Sequence, residues 1–216
     1  MGNNGSVRIK ICGITSVADA RLAEAAGADA IGLIFAAGST RELTPETGQE
    51  ISRAAGPFLT RVGVFRNQSL EQVLELARWL RLDAVQLHGA EDHAYVAAVA
   101  AEFRVIRALA FRPGLSLADL SSWPADHVLL DAPAPGSGTA FDWTAAADLA
   151  EFPRLIIAGG LTPHNVAEAI HLFQPAAVDV ASGVESEPGR KSSDLVRRFV
   201  RSSRAAAAVS TAGDVS

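Results

Sequence analysis

Eight short, nearly unbroken apolar runs, rich in β-branched residues, recur about every 25 residues. They cover residues 7–12, 30–35, 61–65, 84–87, 105–110, 127–131, 155–158 and 177–180, with longer Ala-, Leu- and Glu-rich stretches between them. A run that does not alternate polar with apolar residues suits a strand covered on both faces, as in a parallel sheet flanked by helices. Eight strand–helix units in 216 residues, 49% of them hydrophobic, predict an α/β fold of the (β/α)8 kind, a closed parallel barrel inside a ring of helices. A doubly wound open sheet would share the alternation, but its dinucleotide form wants Gly-x-Gly-x-x-Gly after the first strand. Here that turn reads Cys12-Gly13-Ile14-Thr15, and the glycine clusters come late.

The intervals carry helix signals. Thr44-Pro45 and Thr162-Pro163 each place a capping hydroxyl before a proline at the first helical position. Ser69 with Gln72, and Ser116 with Asp119, have capping-box spacing. Leu70, Val73, Leu74, Ala77 and Leu80 form one apolar stripe, and Val166, Ala169, Ile170 and Phe173 another. The last periodic stretch is 193–204; residues 205–216 are small and polar and are expected to fray. No linker divides the chain, so residues 1–204 are expected to form one barrel domain.

A net charge of −5 argues against general nucleic-acid binding. One cysteine excludes an internal disulfide, no run is long enough to span a membrane, and residues 1–6 lack the apolar core of a signal peptide. A cytoplasmic protein is expected. The five histidines form no ligand cluster, and no metal is expected.

In such a barrel, chemistry sits at the carboxyl ends of the strands. Cys12 ends the first run, where a thiol can act as a base or nucleophile, although a free cysteine usually just packs. Asp131 ends the sixth, where a carboxyl can deliver a proton. Arg41 follows the second run as a planar cation suited to a carboxylate, and His88 ends the fourth. Lys10 shares the face of Cys12, and Asp179 stands on the eighth run beside the first; the two are either an internal ion pair, or Asp179 touches substrate. Lysine occurs only at 10 and 191, which weakens a Schiff-base aldolase reading. Glycine-rich loops at Gly136-Ser137-Gly138, Gly159-Gly160 and Ser182-Gly183 suit phosphate, whose oxygens backbone N–H groups can approach; a helix from Thr162 would add its dipole.

Taken in order, residues 10–15 (KICGIT), 27–32 (GADAIG), 62–65 (VGVF), 83–89 (DAVQLHG), 129–131 (LLD), 136–143 (GSGTAFDW), 158–161 (AGGL) with Asn165, and 178–185 (VDVASGVE) with Pro188-Gly189 resemble the phosphoribosylanthranilate isomerase family. The resemblance implies a cofactor-free Amadori rearrangement in tryptophan synthesis, acting on a small phosphorylated substrate, with no nucleic-acid or membrane partner. It makes Cys12 the general base and Asp131 the general acid. Arg41 would meet the anthranilate carboxylate, and the amides of Gly138, Gly160, Ser182 and Gly183 the phosphate. The chain departs from the family pattern at Ala37 and Gly38, where proline and lysine are common, at Glu42, where an aromatic is common, and at Thr139-Ala140, where Lys-Thr is common. Glu42 is expected to compete for the Arg41 guanidinium. Another phosphosugar-processing barrel, or a barrel that binds a phosphometabolite without turnover, is the alternative.

Overall fold

The computed structural model describes residues 7–133 and 142–212. Strands β1 (Arg8–Cys12), β2 (Ala30–Ile34), β3 (Thr60–Phe65), β4 (Ala84–Leu87), β5 (Arg104–Ala110), β6 (His127–Asp131), β7 (Leu155–Ile157) and β8 (Ala177–Val180) pair in sequence order, all parallel, and close on themselves. The closing pair sets Lys10 opposite Asp179. The eight predicted runs are the eight strands, with ends shifted by at most one residue. After β8 a Pro188-Gly189 turn joins a small antiparallel hairpin, β9 (Glu185–Glu187) and β10 (Arg190–Lys191).

Outside the barrel lie α1 (Val17–Ala26), α2 (Pro45–Ala54), α3 (Leu70–Leu80), α4 (His93–Ala100), α5 (Leu117–Ser121), α6 (Val166–Phe173) and α7 (Ser193–Ala212), with a 3₁₀ helix at Thr144–Glu151 after β6. The Thr44 cap and the Ser69 and Ser116 capping boxes form as their spacing predicts. On α3 the stripe Val73, Ala77 and Leu80 is buried, and on α6 Val166, Ala169, Ile170 and Phe173. Each large apolar side chain so buried contributes about 1.5–3 kcal/mol, which is what holds the helix ring to the sheet.

Two expectations are corrected. The helix after β7 begins at Val166 rather than Pro163, because the Asn165 carboxamide oxygen accepts the Thr162 N–H at 2.7 Å and folds residues 162–165 into a turn. The final helix runs on to Ala212 rather than fraying after Arg204: its alanine run favours helix, and Ala206 and Ala207 are buried.

Inside the barrel the two sides differ. Ala108, Leu129, Ile156 and Ala158 form an apolar cluster beneath β5–β7. Opposite, the buried Lys10 and Asp179 meet across the β1–β8 seam, and Cys12 lies above Lys10 on β1. The buried Lys10–Asp179 pair thereby lies directly under the β1 side of the mouth.

Candidate active site

A cavity of about 250 Å³ opens at the carboxyl ends of the strands. Cys12, Arg41, His88, Asp131, Gly159, Gly160, Asp179 and Ser182 all line it. Gly183 packs against the Leu161 carbonyl, tying the β7 and β8 loops together, and is not part of the lining. Gly136, Ser137 and Gly138 lie outside the described residues.

Cys12 is a buried thiol that leans into space left by a missing side chain. A Cβ at Gly32, its partner on β2, would stand 2.5 Å from Sγ. The buried Lys10 ammonium donates to Asp179 Oδ1 at 3.0 Å and also neighbours the thiol. Burial pushes the thiol above its ordinary value; Lys10 pulls it down, Asp179 adds to the rise, and the net shift is upward. Lys10 shows the reverse balance: burial lowers it, but Asp179 and Cys12 outweigh burial and raise it. Asp179 is therefore both the structural partner of Lys10 and part of the cavity wall.

Asp131 ends β6 with Oδ1 accepting the N–H of Ala132 at 2.8 Å. Gly159, at φ +76°, leaves the room: a Cβ there would meet Asp131 Oδ1 at 2.9 Å. His88 Nε2 stands 3.3 Å from Asp131 Oδ2, off the line of a full hydrogen bond, and its Nδ1 is 3.4 Å from Gln86 Nε2. The β4 loop that presents His88 is fixed from behind by a buried ion pair. Arg107 donates to Glu91 and to the carbonyls of Leu87 and Gly89, while Glu91 accepts the Gly89 N–H. Gln86 is part of the cavity wall, and its Oε1 is buried without a hydrogen-bond partner among the described residues.

The glutamate that grips Arg41 is Glu185, not Glu42. Arg41 Nε and Nη2 donate to the two oxygens of Glu185 at 2.7 and 2.6 Å, and Lys191 Nζ donates to Glu185 at 2.7 Å. Glu42 instead accepts the Gly38 N–H, because its side chain turns back onto its own loop. Arg66, at the end of β3, also lines the cavity and makes no ion pair among the described residues; its Nη2 donates to the Ala37 carbonyl. Gln86, Arg66, Glu185 and Lys191 were not singled out from the sequence for the site. Gln86 could have been found two residues before His88, on the same face of β4.

A closed parallel barrel with titratable side chains gathered at the carboxyl ends of its strands defines a (β/α)8-barrel enzyme. The family model described as N-(5'-phosphoribosyl)anthranilate (PRA) isomerase matches residues 9–202. The isomerase of that name from Geobacter metallireducens is 45% identical over 203 residues, 92% of this chain and 100% of the relative. The crystal structure of the Thermus thermophilus phosphoribosyl anthranilate isomerase superposes with a TM-score of 0.85 at 44% identity, covering 91% of this chain and 98% of that one. A phosphoribosyl anthranilate isomerase in complex with reduced 1-(o-carboxyphenylamino)-1-deoxyribulose 5-phosphate is 37% identical with a TM-score of 0.82, over 93% of this chain and 100% of the other. The chain belongs to the N-(5'-phosphoribosyl)anthranilate isomerase family.

Proposed function

We propose that the barrel converts N-(5'-phosphoribosyl)anthranilate to 1-(2-carboxyphenylamino)-1-deoxyribulose 5-phosphate, with Cys12 as base and Asp131 as acid. The observation that carries this reading is one cavity that presents a thiol backed by a buried ammonium, a carboxyl from another strand, and the glycine loops after β7 and β8. Asp131 gives a proton to the ribose ring oxygen, and the sugar opens to a Schiff base. The Cys12 thiolate takes the proton from C2′, and the enolamine tautomerises to the ketose as C1′ gains a proton and the C2′ hydroxyl loses one. Atoms and oxidation level balance, so the step is an isomerisation. Burial makes the thiolate a stronger base once formed, and Lys10 offsets part of the cost of forming it. Gly159, Gly160 and Ser182, which line the cavity, receive the phosphate, with Gly183, Gly136, Ser137 and Gly138 as further candidates. Arg41 receives the anthranilate carboxylate, and His88 and Asp179 face the sugar. The same reading places the enzyme in tryptophan synthesis in the cytoplasm.

The test forms the unstable substrate in place from anthranilate and phosphoribosyl pyrophosphate, with a separate anthranilate phosphoribosyltransferase, and follows the anthranilate fluorescence. Wild type turns over, while Cys12→Ala and Asp131→Asn each lose at least about a hundredfold in kcat. Turnover by both variants at the wild-type rate removes the acid–base assignment, and a folded wild type without activity removes the reaction.

A further inference from the structure

Arg41 is held by a device that the reaction chemistry does not require. We propose that Glu185 and Lys191 are positioning residues that fix Arg41 so that one edge of its guanidinium is kept free for the substrate carboxylate. The proposal rests on the reading of Arg41 given above. Glu185 takes the Nε–Nη2 edge in a two-point fork, two of the five N–H donors. Among the described residues, the one hydrogen-bond contact of Nη1 is with Thr40 Oγ1 on its own loop, at 3.4 Å. The Nη1–Nη2 edge therefore remains to form a second fork, and Arg41 is part of the cavity wall. Glu185 does not compete with a substrate carboxylate, because the two use different edges.

The clamp is rigid on every side. Glu185 and Lys191 are a cross-strand pair of the β9–β10 hairpin, with side chains 4% and 0% exposed. Lys191 also donates to the Ala181 carbonyl at 3.2 Å, below Ser182 of the phosphate loop. The hairpin turn is pinned to the first loop by Thr15, whose hydroxyl donates to the Gly189 carbonyl at 2.5 Å. Beneath Arg41 lies Gly13, where a Cβ would collide with the arginine Cδ. The guanidinium thus rests between bare backbone and a fixed carboxylate, and the planar fork leaves it little freedom to rotate.

The charges also fit one anion. Arg41 and Lys191 share the single carboxylate of Glu185, so this trio carries one net positive charge, which Cys12 also faces. An unbalanced buried charge is costly, and a carboxylate arriving at the free edge of Arg41 removes that cost.

The experiment compares two substrates that differ only in the carboxylate: the phosphoribosyl adducts of anthranilate and of aniline, each condensed from ribose 5-phosphate and the amine. kcat and KM are measured for wild type, Arg41→Met, Glu185→Gln, Glu185→Asp and Lys191→Met, with circular dichroism as the check on folding. Wild type prefers the anthranilate adduct. Arg41→Met abolishes the preference. Glu185→Gln lowers it about tenfold to a hundredfold through KM, the scale of a misplaced binding group, and leaves kcat on the aniline adduct within about threefold of wild type. Lys191→Met and Glu185→Asp follow in the same direction with smaller losses, and they decide the matter where Glu185→Gln fails to fold. Loss of preference in Arg41→Met but not in the Glu185 and Lys191 variants overturns the clamp and leaves Arg41 as the receptor. Equal losses on both substrates in the Glu185 and Lys191 variants reduce the cluster to a structural one. A preference retained in Arg41→Met overturns the reading of Arg41 itself, and the clamp with it.

Discussion

Cys12 has to give up a proton in a place where burial opposes the charge; Lys10 helps most, and Lys191 adds a smaller pull. Replacing Lys10 by Met removes the attraction and leaves Asp179 repelling the thiolate. The thiol, already raised, moves higher still. The rise of kcat/KM with pH then shifts to more alkaline pH, and titration of thiolate absorbance reads it without interference because Cys12 is the only cysteine. An unmoved titration would mean that Lys10 serves only to pair Asp179. Gly32→Ala tests the same spot by volume: the added methyl displaces Sγ and lowers kcat about tenfold to a hundredfold, with KM little changed and the circular dichroism spectrum kept. That Cys12 and Asp131 stand at the mouth was legible in the sequence because each ends a recognisable strand, and in a barrel the carboxyl ends of the strands form the mouth. Glu185 was not legible as the partner of Arg41, since the two stand 144 positions apart and meet only through a hairpin whose place the apolar pattern does not fix. Glu42, adjacent in sequence, drew attention by proximity alone.

At the amino-terminal mouth, three strand pairs share one device. Arg8, Arg61 and Arg104 open or nearly open β1, β3 and β5, and each pairs with an aspartate standing just before the next strand: Asp29, Asp83 and Asp126. Each aspartate also accepts a backbone N–H, from Ile9, Arg61 and Val105, all at 2.8 Å. At the fourth step Ala176 replaces the aspartate, and Arg154 turns to the Ala125 carbonyl. The carboxylate thus fixes where the even-numbered strand starts against its odd-numbered neighbour. Burial tends to raise Asp83 and Asp126, but the arginine and the backbone N–H outweigh it, and both end below the ordinary value. A lowered carboxylate stabilises the fold fully above the unfolded value of about 3.9 and loses that contribution as pH falls through the lower folded value. Asp126→Ala costs about 1–2 kcal/mol at neutral pH. Asp83, with a side chain 41% exposed, contributes less, about 1 kcal/mol after solvent screening. Urea titrations at neutral pH and below pH 3 check this: the gap between wild type and Asp126→Ala narrows in acid, and a gap independent of pH would remove the ionic part. The strands themselves were legible because burial on both faces leaves a continuous apolar run. The start of α6 was not, since Thr162-Pro163 reads as a cap until Asn165, three residues on, takes the Thr162 N–H for itself.

Closing a barrel requires the two ends of the chain to find each other, and here one arginine of the last helix ties them. Arg204 donates to the carbonyl of Val7 at 2.8 Å and of Gly27 at 3.1 Å, and pairs with Asp29 at 2.7 Å, the aspartate that already holds the Ile9 N–H. Val196, Phe199 and Val200 bury α7, so Arg204 acts on a helix already seated by apolar contact. Its side chain is 40% exposed, so the ion pair is screened and most of its worth lies in the two carbonyls. Arg204→Met is expected to cost about 1–2 kcal/mol, seen as a lower urea midpoint with an unchanged slope. Contacts between residues nearly 200 positions apart form late, after the loop-closure entropy between them has been met. The loss should therefore appear mainly as faster unfolding, with the refolding rate close to wild type. Slower refolding with unchanged unfolding would instead place the union of first strand and last helix in the folding nucleus. The barrel would then close early rather than last, with the active-site wall at the β1–β8 seam formed before the rest of the mouth.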